Sequence, residues 1–190
     1  NSTAMLTTFN EVNLSKVSAA RKELQEEFVK ANGIKLGFMS FFVKAAANAL
    51  QRFPLVNASI DGNDIVYHGY ADVSIAVSTE KGLVTPVLRN VERQSFADIE
   101  KTIAEYAKKA RDGKLGPADM SGGCFSISSL GGIGGTAFTP IVNAPEVAIL
   151  GVSKATIQPI WDGKAFQPKL MLPLSLSYDH RVINGAAAAR

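Results

Sequence analysis

The final stretch of the chain, residues 170–190, constrains the fold more than any other part. It reads LMLPLSLSYDHRVINGAAAAR, in which leucines and a tyrosine alternate with proline, serine and aspartate. A period of two is typical of a β-strand with one buried face. The strand delivers Asp179, His180 and Arg181 at its end, and the alanines after Asn184-Gly185 favour a helix. The sequence therefore predicts a histidine held between a rigid strand and a helix start.

Composition limits the classes of protein to which the chain can belong. The chain has 190 residues, of which 46% are hydrophobic, so residues 1–190 can form one domain with a sizeable core. The formal net charge of +3 comes without a long run of like charges, so no nucleic-acid partner is expected. The longest apolar segment is interrupted by Lys44 and Asn48 and is too short for a membrane span. Cys124 is the single cysteine, which indicates a reducing compartment.

Strands and three amphipathic helices interleave along the chain. Helices are predicted from an N-cap at Ser15 to a stop at Asn32-Gly33, from Met39 to Arg52, and from an N-cap at Ser95 to Arg111. Strands are predicted near residues 3–12, 57–67, 73–78, 83–88, 124–130, 148–153 and 170–178, with turns at Asp61-Gly62, Glu80-Lys81-Gly82 and 161–164. No βαβ unit repeats. The predicted fold class is α/β, a two-layer sandwich in which helices cover one face of a mixed β-sheet.

Histidine chemistry can come from His68 or His180 only. His68 lies in a polar stretch with no motif around it, which favours a surface role. Two distant histidines and one cysteine without a recognisable ligand spacing leave no metal site. Residues 132–137 match a dinucleotide-binding glycine pattern, but residues 138–142 do not continue as the helix that such a site needs.

Serine side chains in the predicted strand 124–130 are candidates for a different role. No G-x-S-x-G motif surrounds them, so a nucleophilic serine is not expected. A hydroxyl can still donate a hydrogen bond to a developing oxyanion. Strand alternation places Ser126 and Ser128 on the same face and does not distinguish them.

The motif DHRVING at residues 179–185 resembles the D-H-R-x-x-[DN]-G signature of the dihydrolipoamide acyltransferases, the core enzymes of the 2-oxo acid dehydrogenase complexes. The chloramphenicol acetyltransferases share its H-x-x-x-D-G part. Similarity to the acyltransferases continues through NSTAMLTTFNEVN, NASIDGNDIVYH, GLVTPVLRNV, KARDGKL and GGCFSISSLGGIGGTAFTPIVNAPEVAILG. On these motifs the chain is identified as a member of that family.

The resemblance implies a fold, an activity and partners. The fold is that of chloramphenicol acetyltransferase, in which homotrimers place each active site at a subunit interface and assemble into a hollow cage. Acyl groups pass from a lipoyl arm, carried on a separate domain, to coenzyme A, without a metal. The dehydrogenase and dihydrolipoamide dehydrogenase components of the complex are further partners. The implied compartment is the bacterial cytoplasm or the mitochondrial matrix.

The resemblance also implies roles for three residues. His180 is the general base, Ser128 from an adjoining subunit is the oxyanion donor, and Asn184 occupies the place where most members carry aspartate. That aspartate forms an ion pair with an arginine, whereas Asn184 can only form hydrogen bonds. No residue is singled out for coenzyme A. The chain is expected to be a catalytic-domain fragment, truncated at both ends and without lipoyl and subunit-binding domains.

The acyl group is left open between two branches of the family. The first half resembles the succinyl-transferring branch, and residues from Gly116 onward resemble the acetyl-transferring branch. We favour acetyl, because Ser128 and His180 both lie in the second half. A succinyltransferase, an acetyl/succinyl chimera and a non-catalytic scaffold subunit of the cage are the alternatives.

Overall fold

The computed structural model describes residues 4–80 and 82–190, which form a mixed β-sheet with helices on one face. The strands are β1 (Met5–Asn13), β2 (Ala58–Asp61), β3 (Asp64–Tyr67), β4 (Val73–Ile75), β5 (Val77–Thr79), β6 (Gly82–Val84), β7 (Val87–Leu88), β8 (Phe125–Ser129), β9 (Ala148–Val152), β10 (Thr156–Trp161) and β11 (Phe166–Asp179). The helices are α1 (Ser15–Asn32), α2 (Met39–Arg52), a 3₁₀ turn (Pro54–Asn57), α3 (Phe96–Arg111), α4 (Pro117–Met120) and α5 (Gly185–Ala189). The predicted fold class is confirmed.

The main sheet places β11 second from one edge, between β1 and β9. Its order is β1-β11-β9-β8-β4-β7, and β10 also pairs with β11. The β8–β9 and β4–β8 pairs are parallel, and the other pairs in this sheet are antiparallel. Because β11 has neighbours on both sides and cover on both faces at its end, its polar residues Ser175, Ser177 and Asp179 are buried along with Tyr178. The alternating pattern therefore marks two covered faces, not one covered and one open face.

Helix α2 forms the centre of the helical layer. It has the predicted bounds, and its apolar positions Val43, Ala47 and Leu50 are almost completely buried against the sheet. The ammonium group of Lys44 donates hydrogen bonds to three backbone carbonyls of residues 91–94. Lys44 is thus a structural cation that ties α2 to the segment before α3.

Helix α1 differs from its prediction at the N-terminus and in its burial. Its N-cap is Leu14 without a side-chain hydrogen bond, and the Ser15 hydroxyl instead accepts from the Leu170 backbone N–H on β11. No residue of α1 is buried, and Leu24 on its apolar face is 48% exposed. The predicted stop is confirmed, because Gly33 has the left-handed φ of 70° and its N–H donates to the Val29 carbonyl.

Two other local predictions are confirmed, and one turn is shifted. Ser95 caps α3 in a reciprocal pair of hydrogen bonds with Asp98, and a loop at residues 162–165 joins β10 to β11. The β2–β3 hairpin turns at Gly62-Asn63 instead of Asp61-Gly62, because Asp61 and Asp64 form the last pair of the ladder. Thr3 and Lys81, which belong to a predicted strand and turn, lie outside the described residues.

The face of the sheet opposite the helices is partly covered by the segment 131–147. A Cβ atom built on Gly151 of β9 would lie 2.9 Å from Cζ of Phe138 and 3.3 Å from Cγ of Pro140. Only glycine therefore allows this segment to lie so close to β9. Within the described part of the chain, no helix is long and apolar enough to cross a membrane.

Candidate active site

His180 lies in a tight turn at the end of β11. The Asp179 carbonyl accepts hydrogen bonds from the backbone N–H groups of Val182 and Ile183, and Ile183 is fully buried below the turn. The His180 N–H donates to the Ala4 carbonyl at 2.7 Å. Its ring is exposed and lies 6.2 Å, centroid to centroid, from the buried ring of Tyr178. The backbone of His180 is thus fixed while its imidazole remains accessible.

The side chains on either side of His180 form an ion pair. The Asp179 carboxylate is buried and accepts hydrogen bonds from Nε, Nη2 and the backbone N–H of Arg181. These bonds from Arg181 lower the pKa of Asp179, and the same pair raises the pKa of Arg181. The arginine of the motif is therefore paired with Asp179 and does not need a carboxylate at position 184.

Asp179→Asn is expected to destabilise the protein by about 1 kcal/mol at pH 7, because Arg181 loses a charged acceptor but is itself half exposed to water. The pKa of Asp179 is lower in the folded than in the unfolded state, so its stabilisation is present above the unfolded pKa and is lost as the pH falls through the folded pKa. Urea unfolding at several pH values should show a gap between wild type and variant that is constant from about pH 5 to 7 and shrinks below about pH 4. A gap that persists at low pH would contradict the ion pair.

The structure distinguishes the two candidate serines of β8. Ser126 is 4% exposed and its hydroxyl donates to Glu146 at 2.7 Å. Burial raises the pKa of this glutamate, and hydrogen bonds from Ser126 and Ser74 oppose that rise. Ser128 is half-buried, and its hydroxyl has no hydrogen-bond partner among the described residues. Ser128 is therefore the serine that is available to a substrate.

Within one protomer, Ser128 and His180 lie far apart. Ser128 is in register with Gly151 of β9, and Gly151 is in register with Ser175 of β11. His180 follows Ser175 by five residues, which at about 3.3 Å per residue places it ~17 Å further along the strand direction. One protomer cannot bring both side chains to the same carbonyl group.

Asn184 lies at the start of α5, as the N-cap. Its Oδ1 accepts from the Ala187 backbone N–H at 2.9 Å, which satisfies one of the free donors at the helix start. The predicted helix after Asn184-Gly185 is confirmed. Asn184 therefore orders the segment that follows the histidine turn.

A cleft of about 340 Å³ lies at the C-terminal end of β8. Most of its walls are apolar, with Phe38 and Met39 at the start of α2 and Gly131 and Gly132 after β8. The Ser153 hydroxyl in this cleft is buried and has no hydrogen-bond partner, and Lys154 also lines it. Such a cleft suits a long flexible molecule that carries both apolar and anionic groups.

The remaining candidate groups lie outside this arrangement. His68 is half-buried after β3, with Nε2 2.6 Å from the Ser59 hydroxyl and its ring against Tyr70. His68 therefore has a structural role in the hairpin, whereas the sequence predicted a surface role. Among residues 4–80 and 82–190, no three His, Cys, Asp or Glu side chains meet in a group that could hold a metal ion. A larger apolar groove of about 610 Å³ lies on the helical side, and neither Ser128 nor His180 lines this groove or the 340 Å³ cleft.

Sequence comparison identifies the family. The family described as 2-oxoacid dehydrogenases acyltransferase (catalytic domain) matches residues 1–190. The chain belongs to this family. The acyltransferase fold and the motif around His180 agree with that membership.

Both branches of this acyltransferase family are among the curated relatives. The succinyltransferase component of the Escherichia coli K12 2-oxoglutarate dehydrogenase complex is 55% identical over 97% of this chain and 46% of its own length. The acetyltransferase component of the Azotobacter vinelandii pyruvate dehydrogenase complex is 54% identical over 97% of this chain and 29% of its own length. The chain thus spans less than half the length of these two relatives, and overall identity does not separate the branches.

Solved structures give the same family and fold. Azotobacter vinelandii dihydrolipoamide acetyltransferase matches with a TM-score of 0.96 and 53% identity, over 99% of this chain and 78% of that one. That structure comes from a crystallographic and enzymatic investigation of the roles of a serine, a histidine and an asparagine in its catalytic mechanism. The cubic core of a pyruvate dehydrogenase multienzyme complex matches with a TM-score of 0.95 and 53% identity, with the same coverage. Chloramphenicol acetyltransferase, at 18% identity and a TM-score of 0.64 over 97% of this chain and 83% of its own, shares the fold.

Proposed function

We propose that this chain is the catalytic domain of a dihydrolipoyllysine-residue acyltransferase, which moves an acyl group between a lipoyl thioester and coenzyme A. The observation that carries the proposal is the accessible imidazole of His180, held by the clamped turn at the end of β11. The serine, histidine and asparagine studied in the Azotobacter vinelandii enzyme have the same sequence spacing as Ser128, His180 and Asn184. Asparagine at this place in the motif is thus shared with that acetyltransferase.

His180 acts as the general base. A thiol with a pKa near 8.5 is mostly protonated at pH 7, so it needs a base before it can attack a thioester. As the sulfur of coenzyme A attacks the acyl carbonyl carbon, its proton passes to His180, and an oxyanion forms on the carbonyl oxygen. When the bond to the lipoyl sulfur breaks, His180 returns the proton to that sulfur. No covalent bond to the protein is required.

Ser128 stabilises the oxyanion from a neighbouring copy of the chain. Its hydroxyl has no partner within the described part of its own protomer, and it lies too far from the same protomer's His180. A second copy at a subunit interface can supply it, which is the arrangement of a trimer. The cubic core formed by the solved relative supports assembly of such trimers into a cage.

Coenzyme A occupies the cleft at the end of β8. The apolar walls fit its pantetheine chain, the buried Ser153 hydroxyl can accept or donate one hydrogen bond, and Lys154 supplies a cation for its phosphates. Compared with wild type, Lys154→Ala should have a higher KM for coenzyme A and a nearly unchanged kcat in steady-state kinetics. A change in kcat without a change in KM would contradict the role of Lys154 in binding coenzyme A.

Acetyl is the acyl group that we favour, with succinyl and an acetyl/succinyl chimera as the alternatives. A succinyl group adds a carboxylate, and a buried carboxylate without a partner costs several kcal/mol. We expect kcat/KM for S-acetyl-dihydrolipoamide to exceed that for the succinyl donor by about a hundredfold, an energy gap of about 2.7 kcal/mol. A preference for the succinyl donor would assign the chain to the 2-oxoglutarate complex.

The alternative from another class is a scaffold subunit that forms the cage without catalysis. An assay of thiol release with both acyl donors separates the two, because a scaffold releases no thiol from either donor. The lipoyl domain and the dehydrogenase and dihydrolipoamide dehydrogenase components are the proposed partners. The bacterial origin of the curated relatives supports the bacterial cytoplasm over the mitochondrial matrix as the compartment.

A further inference from the structure

We infer that Asn184 is a modification site, at which the chain converts its own asparagine side chain to aspartate or isoaspartate with release of ammonia. The reaction needs only the chain and water, so this inference does not rest on the proposed acyl transfer. Asn-Gly sequences favour this chemistry, because glycine lets its backbone nitrogen approach the asparagine side chain. The chain has two such sequences, Asn32-Gly33 and Asn184-Gly185.

The reaction has two steps. In the first, the backbone nitrogen of Gly185 attacks Cγ of Asn184, so that a new N–C bond forms and the Cγ–Nδ2 bond breaks. Nδ2 leaves as ammonia together with the proton that the Gly185 nitrogen loses, and a succinimide ring remains. In the second step, one water molecule opens the ring at either of its carbonyl carbons. Opening at Cγ gives aspartate, and opening at the main-chain carbonyl carbon gives isoaspartate.

At Asn184 the reacting atoms are free and the carbon under attack is polarised. Asn184 and Gly185 are both exposed in the protomer. Neither the Gly185 N–H nor Nδ2 of Asn184 has a hydrogen-bond partner among the described residues. Oδ1 accepts the Ala187 N–H at 2.9 Å, and the first step places negative charge on this oxygen. The same hydrogen bond therefore draws electrons from Cγ and stabilises the intermediate.

At Asn32 the corresponding atoms are engaged, which makes this site an internal control. Asn32 is half-buried at the end of α1, and its Nδ2 donates to the Phe28 carbonyl at 3.0 Å. The Gly33 N–H donates to the Val29 carbonyl at 2.8 Å. The leaving group and the attacking nitrogen must therefore each lose a hydrogen bond before this site can react.

The two products affect the segment after the histidine turn differently. Aspartate keeps an oxygen that can accept the Ala187 N–H, and it gives residues 180–185 the H-x-x-x-D-G form. Isoaspartate leads the main chain through the former side chain, which adds one carbon atom between residue 184 and Gly185. The hydrogen bond that caps α5 cannot keep its geometry in this second product.

The test measures both sites on the assembled protein after incubation at mildly alkaline pH. Trypsin cleaves after lysine and arginine, so peptides 31–35 and 182–190 carry one site each. Mass spectrometry detects the exchange of the amide for a carboxyl group, and protein isoaspartyl methyltransferase labels isoaspartate in the peptides. We expect Asn184 to react about tenfold faster than Asn32 or more, because reaction at Asn32 must first break two hydrogen bonds.

Two comparisons separate the effect of the fold from that of the local sequence. In urea both sites lose their hydrogen bonds, so the two rates should become similar. Gly185→Ala places a Cβ atom 3.7 Å from the Tyr178 hydroxyl, an ordinary van der Waals distance, so this variant should fold. Its added side chain restricts the backbone and should slow the reaction at Asn184 severalfold without changing the rate at Asn32.

Equal rates at the two sites of the folded protein, or no reaction at Asn184, would overturn this inference. A ratio of rates that stays the same in urea would also overturn it, because the difference would then come from the neighbouring residues and not from the fold. None of these results bears on the proposed acyl transfer.

Discussion

His180→Ala is expected to lower kcat for transfer to coenzyme A by about 10²–10⁴-fold, the range that a general base usually contributes. In the proposed mechanism the exposed imidazole at the end of β11 is the base, and the thiol of coenzyme A needs deprotonation to attack. The backbone of the turn is held by Asp179 and the buried Ile183, so removal of an exposed ring should leave the fold intact. Single-turnover kinetics with S-acetyl-dihydrolipoamide measure the chemical step directly.

His68→Ala is the matched control for this experiment. It removes the other histidine, whose ring is engaged with Ser59, so it should affect stability and not the rate of transfer. Thermal unfolding and sedimentation of both variants report on fold and assembly. A loss of less than tenfold in well-folded His180→Ala would remove His180 as the base. A higher pH should also reduce the deficit of this variant, because more of the thiol is ionised without a base.

Ser128→Ala is expected to lower kcat by about 10²–10³-fold with little change in KM for coenzyme A, because the hydrogen bond forms only as charge develops on the oxygen. Ser126→Ala is the matched control from the same strand and face. Its hydroxyl is committed to the buried Glu146, so its loss should lower stability and leave kcat close to the wild-type value. Steady-state kinetics of the two variants should therefore diverge. A rise in KM at constant kcat for Ser128→Ala would mean that Ser128 only holds the substrate.

Mixed assemblies test whether the two residues come from different subunits. Co-expressed His180→Ala and Ser128→Ala chains would form some interfaces in which the intact His180 of one chain meets the intact Ser128 of the other. Activity should return to a substantial fraction of wild type, although each variant alone is expected to be about a hundredfold or more less active. If both residues acted within one protomer, no mixed assembly would contain an intact site. Full inactivity of the mixture would thus contradict the interface site.

The sequence determined the elements that depend on local chemistry. The bounds of α2 and α3 follow from residue periodicity and from the Ser95–Asp98 cap, and Gly33 ends α1 because glycine readily adopts its backbone conformation. The alternation before His180 predicted β11, and the motif around it predicted the family. These features were readable because each depends on residues close together in the chain.

Tertiary structure decided the points at which distant residues compete for the same partner. Ser15 has a typical N-cap side chain, but its hydroxyl accepts a hydrogen bond from Leu170 across the fold. Strand alternation makes Ser126 and Ser128 equivalent. The tertiary structure distinguishes them, because Glu146 accepts a hydrogen bond from the hydroxyl of Ser126 and not from that of Ser128. In the sequence, Glu146 is the one acidic residue in the largely apolar stretch 141–152, which marks it as unusual. Its hydrogen-bond partner could not be predicted from the sequence.

The separation of Ser128 from His180 and the position of Phe138 on Gly151 also depend on three-dimensional placement. The separation follows from the register of strands β8, β9 and β11. The position of Phe138 follows from a loop that crosses the sheet at Gly151, where no side chain blocks it. Local alternation decides which face of a strand each side chain occupies, but the pairing of strands far apart in sequence decides which residues lie opposite one another. The sequence therefore predicted which residues carry the chemistry, and the tertiary structure decided which of them lie close to one another in a protomer.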